Sequence, residues 1–206
     1  MRSLHDVQPR AATQIGEAPL ASFIFADTRM AWFWLIVRLY VGYEWLSAGL
    51  EKMVGPNRWV FSGHDGAAMA GFAKGALKLS AGPHAAVQGW YATILQSVVI
   101  PAAPAFAYIV TFGEVLVGLG LIFGILTGIA AFFGVFMNLN YMLAGTVSIN
   151  PVIGVLAMFL ILAWRIAGYW GGDRWILPLL GTPWTGSLLK QRKNEEHKTT
   201  GEAQSL

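Results

Sequence analysis

The chain has 206 residues, of which 55% are hydrophobic and only 12% are charged, whereas soluble domains carry roughly 25% charged residues. Its formal net charge is +3 and its Lys and Arg residues are scattered, so no concentrated basic surface indicates nucleic acid as a partner. The absence of cysteine excludes disulfides and thiolate-held metal or iron–sulfur clusters from this chain. This composition indicates one all-α domain in contact with lipid.

Apolar windows predict the organisation of the chain. A transmembrane helix needs about 20 mainly apolar residues, and four windows meet that length: 30–50, 104–125, 126–147 and 151–170. They predict an integral membrane four-helix bundle over residues 29–185. Residues 1–28 lack an apolar core followed by a cleavage site, so they predict a cytoplasmic segment rather than a signal peptide. Residues 186–206 are polar and predict a disordered cytoplasmic tail.

Two polar stripes run along the first predicted span. One stripe has the spacing i, i+4, i+7 and i+11 and contains Tyr40, Glu44, Ser47 and Glu51. The other lies about 120° away on the same helix and contains Arg38, Gly42, Trp45, Gly49 and Lys52. Ionised groups are costly in the hydrocarbon core. Both faces are therefore expected to point away from lipid.

The loop at residues 51–103 is too long to be structureless in a compact protein, so we expect it to fold outside the membrane. Ser62 and Asp65 resemble a capping box in its weaker Asp form. Apolar residues then recur at helical spacing, at Met69, Phe72, Ala76 and Leu79. A second helix is predicted in the membrane interface, with Val87, Trp90, Tyr91, Ile94, Leu95 and Val98 on one face. These helices either pack on lipid or form a lid or docking surface.

Spans two and three are separated only by a tight turn near Gly124, which predicts an antiparallel hairpin. Small residues let helix backbones approach closely, and this hairpin carries Gly113, Gly118, Gly120, Gly124, Gly128 and Gly134. Lys and Arg outside the spans are more numerous in the two tails than in the first loop. The positive-inside rule then places both termini in the cytoplasm.

Polar residues at similar depths in the predicted spans form a candidate site. At ~1.5 Å per residue, Arg38, Glu114 and Asn138 fall near one level of the bundle. Because intramembrane ionisable residues are usually functional, we predict catalytic and ligand-binding roles here. The catalytic set is Glu114, Arg38 and Glu44, and the binding set is Asn138, Tyr40, Tyr141 and Lys52.

A carboxylate beside an arginine, an amide and phenols suits a polar head such as a quinone carbonyl or an oxyanion, and the acid can carry a proton. The alternative is a buried salt bridge that only fixes how the helices pack. All histidines lie outside the apolar windows, at His5, His64, His84 and His197. We therefore expect neither a haem held by two membrane histidines nor another metal site.

Several motifs resemble those of the DoxX/DoxD family of small bacterial and archaeal membrane proteins. The opening signature is the run from Arg38 to Lys52 in span one and its exit. The further motifs are Pro56–Trp59, Glu114 with Gly118–Gly120, the Asn138 region, Asn150–Pro151, and Ala167–Arg174. Together they cover the chain from about Arg29 to Trp184 and resemble the longer, DoxD-like form.

The resemblance implies a four-helix membrane fold in a bacterial or archaeal cytoplasmic membrane and a link to redox metabolism. Some members resemble subunits of thiosulfate:quinone oxidoreductase. We therefore expect quinone-linked oxidation of a small sulfur compound such as thiosulfate. A second oxidoreductase subunit, a soluble redox enzyme or another copy of the chain is the expected partner besides the lipid bilayer. The alternatives are a non-catalytic membrane anchor for soluble redox enzymes and a small transporter.

Overall fold

The computed structural model describes residues 18–180. Within this part of the chain, all the regular elements are helical, which confirms the all-α class. The helices are α1 Pro19–Ala26, α2 Ala31–Val54, α3 Ala67–Lys78, α4 Gly89–Ile94, α5 Ala103–Phe123, α6 Thr127–Leu143, α7 Asn150–Leu162, α8 Trp164–Ala167 and α9 Asp173–Leu179. A 3-10 turn, Thr28–Met30, links α1 to α2, and a π-helical turn, Leu95–Val99, follows α4.

Helices α2, α5, α6 and α7 form the central bundle. The most extensive contacts join α2 to α5 and α6 to α7, while α5 and α6 form the predicted hairpin. Glycine makes the α2–α5 contact close: a Cβ on Gly118 would lie 2.5 Å from the backbone nitrogen of Leu46, and one on Gly49 would lie 2.7 Å from Val115 Cγ2. Gly118 therefore allows close helix approach, but towards α2 and not towards α6, its predicted hairpin partner.

Large apolar side chains cover the outside of the bundle. Exposed examples include Ile36, Ile109, Leu116, Ile129, Phe132, Phe136, Val155 and Met158, and a water-soluble monomer rarely exposes such a continuous apolar surface. By length and composition, α5 alone qualifies as a membrane span among residues 18–180. The segments Pro19–Ala26 and Thr28–Val54 qualify only as a pair, bent by 52°. The four-span arrangement therefore stays a prediction.

The predicted fourth window is not one helix. Helix α7 ends at Leu162, α8 follows after Ala163, and the chain turns at Gly168. A Cβ on Gly168 would collide with the side chain of Asp173, so glycine lets the chain fold back and bring Asp173 against the bundle. The expectation of a continuous span over 151–170 is therefore corrected.

The loop between α2 and α5 folds as predicted into a helical layer. It packs through a second core that it shares with Ala103 and Ala107 of α5 and with Ala144, just after α6. The loop contributes Val60, Met69, Ala73, Ala76, Val87, Tyr91, Leu95 and Val99. Ser62 donates its backbone N–H to Asp65 Oδ1 at 2.8 Å, but α3 begins only at Ala67, after Gly66. The pair therefore shapes the approach to α3 without capping it. Leu79, placed on the buried face by the sequence, is 45% exposed.

Helix α1 was not predicted. It lies inside the segment 1–28, and the indole of Trp34 donates to the carbonyl oxygen of Ile24 at 2.8 Å. The Phe25 ring stacks on Trp34 with 5.6 Å between ring centres. Residues 19–26 therefore belong to the packed domain. The predicted disordered tail, 186–206, lies outside the described residues.

Candidate functional site

Glu114 lies on α5 and is only 1% exposed. The ammonium nitrogen of Lys52 lies 2.9 Å from Oε1 and 2.8 Å from Oε2 of its carboxylate. The hydroxyl of Tyr141 donates to Oε1 at 2.6 Å. We call Lys52, Glu114 and Tyr141 the outer cluster, and it joins α2, α5 and α6. A buried carboxylate requires such a charge partner and directed donors.

Aromatic rings surround the cation of the outer cluster. Lys52 Nζ lies 5.1 Å from the ring centre of Trp59 and 5.6 Å from that of Tyr141. Phe72 packs edge-on against Tyr141 at 5.8 Å. The faces of aromatic rings attract cations, and more strongly where water is scarce. These rings therefore help to offset the cost of moving the Lys52 ammonium away from water.

A cavity of about 190 Å³ adjoins the outer cluster. It lies between α3, α4 with its π turn, α5 and α6, and Tyr141 and Trp59 line it. The remaining lining residues are mainly apolar: Met69, Phe72, Tyr91, Leu95, Val99, Phe106, Ile109, Val110, Phe136, Met137 and Asn140. Ile109 and Phe136 are also 65% and 57% exposed on the outer face of the bundle. The cavity therefore opens sideways between α5 and α6.

Two polar groups of the cavity wall are paired with each other. The Tyr91 hydroxyl donates towards the backbone oxygen of Asn140 at 3.1 Å and its side-chain oxygen at 3.2 Å. Burial raises the pKa of the Tyr91 phenol, which keeps the phenol protonated and able to donate. Asn140 itself donates to the carbonyl oxygen of Phe136 at 2.8 Å. The Tyr91–Asn140 pair thus fixes α4 against α6.

The structure does not bring Arg38 to Glu114. The Arg38 guanidinium packs against Gly124 and Gly171, at the opposite end of the bundle. Gly124 follows Glu114 by ten residues, which corresponds to ~15 Å along a helix. The predicted proximity of these two charges is wrong because Lys52, rather than Arg38, occupies the position beside the carboxylate.

Asp173 provides the acid at the Arg38 end. Its carboxylate accepts the backbone N–H groups of Leu126 at 2.6 Å and Thr127 at 2.9 Å, at the start of α6. Its own backbone N–H donates to the carbonyl of Gly124 at 2.7 Å. A carboxylate at a helix N-terminus satisfies unpaired donors and complements the helix dipole. We call Arg38, Asp173 and the α6 N-terminus the inner cluster.

Sequence reasoning missed the role of Asp173, although the residue lies inside the Ala167–Arg174 motif. The contact joins residues 46 and 47 positions apart, which no local pattern reports. The Gly-Gly pair before Asp173 was the available signal: a Cβ on Gly171 would collide with the Arg38 guanidinium. The pair Gly171–Gly172 before Asp173 therefore marked a place where the backbone passes close to another part of the bundle.

Among residues 18–180, the Glu114 carboxylate makes no hydrogen bond with the other predicted site residues, Asn138, Tyr40 and Glu44. Asn138 is 2% exposed, and neither polar atom of its side chain has a hydrogen-bond partner in the described part of the chain. Tyr40 is 40% exposed, and Glu44 is partly buried. Neither side chain bonds to the outer cluster within residues 18–180. Lys52 and Tyr141 are thus the predicted binding residues that meet Glu114.

The described residues contain no group of three or more His, Cys, Asp or Glu side chains that could hold a metal ion. The polar groups that the outer cluster offers a ligand are a carboxylate, an ammonium group and a phenol. Such a set can bind a polar group and exchange a proton with it. The apolar cavity beside it suits the less polar part of the same ligand.

Residues 33–147 match the family model described as DoxX. This stretch is more than half of the 206-residue chain. It includes the whole outer cluster and Arg38, while Asp173 lies beyond it. No curated protein and no solved structure matches the chain significantly.

Proposed function

Because the chain belongs to the DoxX family, whose members are membrane proteins associated with redox metabolism, we propose that it is a membrane redox protein with a quinone site. The quinone ring occupies the cavity beside the outer cluster. The observation that carries this proposal concerns Tyr141. Its ring lines an aromatic-walled cavity, and its hydroxyl donates a hydrogen bond to the buried Glu114 carboxylate.

The size and opening of the cavity fit a lipid-soluble ligand with a flat head. A volume of about 190 Å³ is smaller than the roughly 300–1,000 Å³ of pockets that enclose whole drug-sized ligands. A ring fits inside while a long apolar tail extends outwards. The opening beside Ile109 and Phe136 faces the apolar outer surface, so such a ligand enters from lipid.

The outer cluster supplies the polar chemistry that quinone reduction requires. A quinone takes up two electrons and two protons to become a quinol, so its site needs hydrogen-bond donors for the carbonyls and a proton source. Lys52 and Tyr141 are donors, and Glu114 is a carboxyl group that can hold a proton between them. These groups bind and orient the carbonyl and exchange protons with it.

A small sulfur compound such as thiosulfate is the proposed electron donor, following the resemblance to thiosulfate:quinone oxidoreductase subunits. Two thiosulfate ions that join through a sulfur–sulfur bond to form tetrathionate release two electrons, which balances the reduction of one quinone. A second oxidoreductase subunit or a soluble redox enzyme is the proposed partner that delivers these electrons. Both termini are proposed to lie in the cytoplasm, with α3 and α4 on the outer side.

The experiment measures quinone binding and thiosulfate-dependent quinol formation by the purified protein in lipid nanodiscs, using a short-chain ubiquinone analogue. Glu114→Gln removes the charge while keeping the side-chain shape, and Glu51→Gln makes the same change at an exposed position on α2. We expect Glu114→Gln to weaken quinone binding, which needs no electron donor, and Glu51→Gln to retain it. Quinol formation is compared with the electron-delivering partner added, and we expect Glu114→Gln to abolish it. Equal quinone binding in the two variants would refute the assignment of Glu114.

The structural alternative is a non-catalytic anchor for soluble redox enzymes. The hydrogen bonds of Glu114 come from its own chain, through Lys52 and Tyr141, and such a closed ion pair can serve only to fix helix packing. This function predicts that neither wild type nor Glu114→Gln binds quinone. It also predicts that a soluble redox enzyme copurifies equally with both.

A further inference from the structure

The outward face of α2 is polar at its centre. Six side chains on this face recur at alternating spacings of four and three residues, and each is exposed or partly exposed: Ile36, Tyr40, Tyr43, Ser47, Leu50 and Val54. Glu44 lies beside them and is also partly exposed. We call these seven residues the α2 seam. It is distinct from the face that carries Gly42 and Gly49, which packs against α5.

The polar part of the α2 seam lies where a bilayer is least polar. The segment Thr28–Val54 qualifies as a membrane span together with Pro19–Ala26. The seam is ~27 Å long at about 1.5 Å per residue, close to the roughly 30 Å of a hydrocarbon core. Tyr43, Glu44 and Ser47 surround the middle of that length. A carboxylate facing lipid at this depth is costly.

The outward faces of α5 and α6 differ from the α2 seam. Their exposed side chains at mid-helix have the same spacing but are apolar: Ile109, Phe112 and Leu116 on α5, and Ile129, Phe132 and Phe136 on α6. The acid of α5, Glu114, points inwards and pairs with Lys52, whereas Glu44 forms no ion pair among residues 18–180. Lipid suits the two apolar faces, but the centre of the α2 seam requires a polar cover.

The α2 seam is complementary to itself. A two-fold interface brings the same patch of both copies together, so one patch must supply donors and acceptors. Tyr40, Tyr43 and Ser47 carry hydroxyl groups, which do both, and Glu44 carries an acceptor.

The spacing of the α2 seam matches the same occupant. Copies inserted in one orientation have parallel α2 helices, and alternating steps of three and four residues are the repeat of a left-handed two-stranded coiled coil. In knobs-into-holes packing of this repeat, Tyr43 of one copy lies against Tyr40, Glu44 and Ser47 of the partner subunit. A hydroxyl group of one copy thereby meets the carboxylate of the other.

We propose that the chain forms a two-fold dimer in the membrane, in which the α2 seams of two copies pack against each other. Hydrogen bonds between polar side chains hold membrane helices together, and polar groups in a coiled-coil seam fix its register. Glu44 then serves in assembly. In the described part of the chain no α2 residue lines the cavity, so the dimer uses none of its walls and does not rest on the quinone proposal.

Disulfide crosslinking tests the interface, because the chain has no cysteine and one introduced thiol reports one position. Ile36→Cys, Tyr43→Cys and Leu50→Cys sample the α2 seam, and Leu116→Cys is the control, exposed at the middle of α5. The full-length variants are oxidised in liposomes at low protein density. Because pairing raises the effective concentration of the two thiols, we expect seam variants to form covalent dimers at least about tenfold faster than the control. Equal rates at seam and control positions would overturn the proposal.

Energy transfer between donor-labelled and acceptor-labelled copies, followed as lipid is added, measures the strength of the dimer. We expect Glu44→Leu to weaken association about tenfold, because it removes hydrogen bonds between the helices. Glu51→Leu is the control, since Glu51 lies near the outer end of α2, and we expect little change. A wild type that stays monomeric at every lipid ratio would overturn the proposal and leave the α2 seam to a different partner.

Equal association of Glu44→Leu and wild type would overturn the role of the polar centre. Neither measurement includes quinone, so a failure of quinone binding leaves both results unaffected.

Discussion

The inner and outer clusters each place a basic side chain near a buried acid, but the acid has different partners in the two clusters. In the inner cluster, Asp173 accepts two backbone N–H groups that begin α6, and Arg38 packs against glycine backbone. In the outer cluster, the described partners of the Glu114 carboxylate are the side chains of Lys52 and Tyr141, and Tyr141 also lines a cavity. Backbone partners indicate a charge that fixes the fold, whereas side-chain partners beside a cavity leave a charge available to a ligand.

The largest loss of stability is expected from Asp173→Ala. This change removes the acceptor of two backbone N–H groups at the start of α6 and the negative charge that acts on buried Arg38. Leaving a buried donor unpaired costs about 1–3 kcal/mol for each group. Unfolding of the purified protein in mild detergent measures the effect. Asp27→Ala is the matched control, because Asp27 pairs locally with the exposed Arg29. Similar losses in the two variants would show that the inner cluster does not fix the fold.

Tyr141→Phe is expected to separate stability from activity in the outer cluster. The phenol hydroxyl donates to Glu114 at 2.6 Å, and a hydrogen bond to a charged group contributes about 1.5–3 kcal/mol. We expect a loss of stability near the lower end of that range, with a larger fractional loss of quinone reduction. Paired measurements of unfolding and turnover check this. Full turnover in Tyr141→Phe would show that the Tyr141 hydroxyl has no role in the proposed site.

The sideways opening of the cavity predicts the effect of Ile109→Trp. A larger ring at this position narrows the entrance, so we expect quinone affinity to fall about tenfold, which corresponds to about 1.4 kcal/mol. Stability should change by less than about 0.5 kcal/mol, as for most surface substitutions. Ile129→Trp is the control, because Ile129 is also exposed but does not line the cavity. Equal quinone affinity in the two variants would place the entrance elsewhere.

The smallest effect on stability is expected from protonation of Asp65. Its carboxylate fixes the segment that leads into α3, outside the central bundle. Hydrogen bonds from Tyr108 and Ser62 hold the pKa of Asp65 below its ordinary value. A lowered pKa in the folded state means that the carboxylate stabilises this segment fully above the unfolded pKa of about 3.9 and loses that contribution as the pH falls through the folded value. Amide hydrogen exchange in α3 should therefore accelerate on acidification to that range.

Asp65→Asn provides the comparison for this acid effect. The variant lacks the titrating carboxyl group, so its exchange rates in α3, corrected for the intrinsic pH dependence of exchange, should change less between neutral and acidic pH. A pH dependence identical to that of the wild type would exclude Asp65 as its source.

The sequence predicted the elements of the bundle better than the partners of its charges. Helices α2, α5 and α6 and the close approach at Gly118 follow from apolar periodicity and small residues. The first window was expected to end at residue 50, whereas α2 continues to Val54. Lys52 therefore lies within the helix, at the level of Glu114, and not at its exit. A difference of four residues at a helix end changed the predicted partner of the carboxylate.

Other features depend on contacts that composition does not report. Helix α1 has only eight residues, too few to stand out as a membrane window, and its position depends on Trp34 and Phe159 from two other helices. The cavity also depends on contacts between distant parts of the chain, because its walls come from the loop layer as well as from α5 and α6. The aromatic residues were visible in the sequence, but their convergence follows from tertiary packing.

Photo-crosslinking tests the central claim most directly. An azido-quinone is bound to the protein in nanodiscs, irradiated with and without excess unlabelled quinone, and the adducts are mapped by mass spectrometry. We expect labelling of cavity segments around Met69, Phe106 and Tyr141 that excess quinone removes. Labelling that excess quinone does not reduce, or that concentrates near Arg38 and Asp173, would contradict the assignment of the outer cluster as the ligand site.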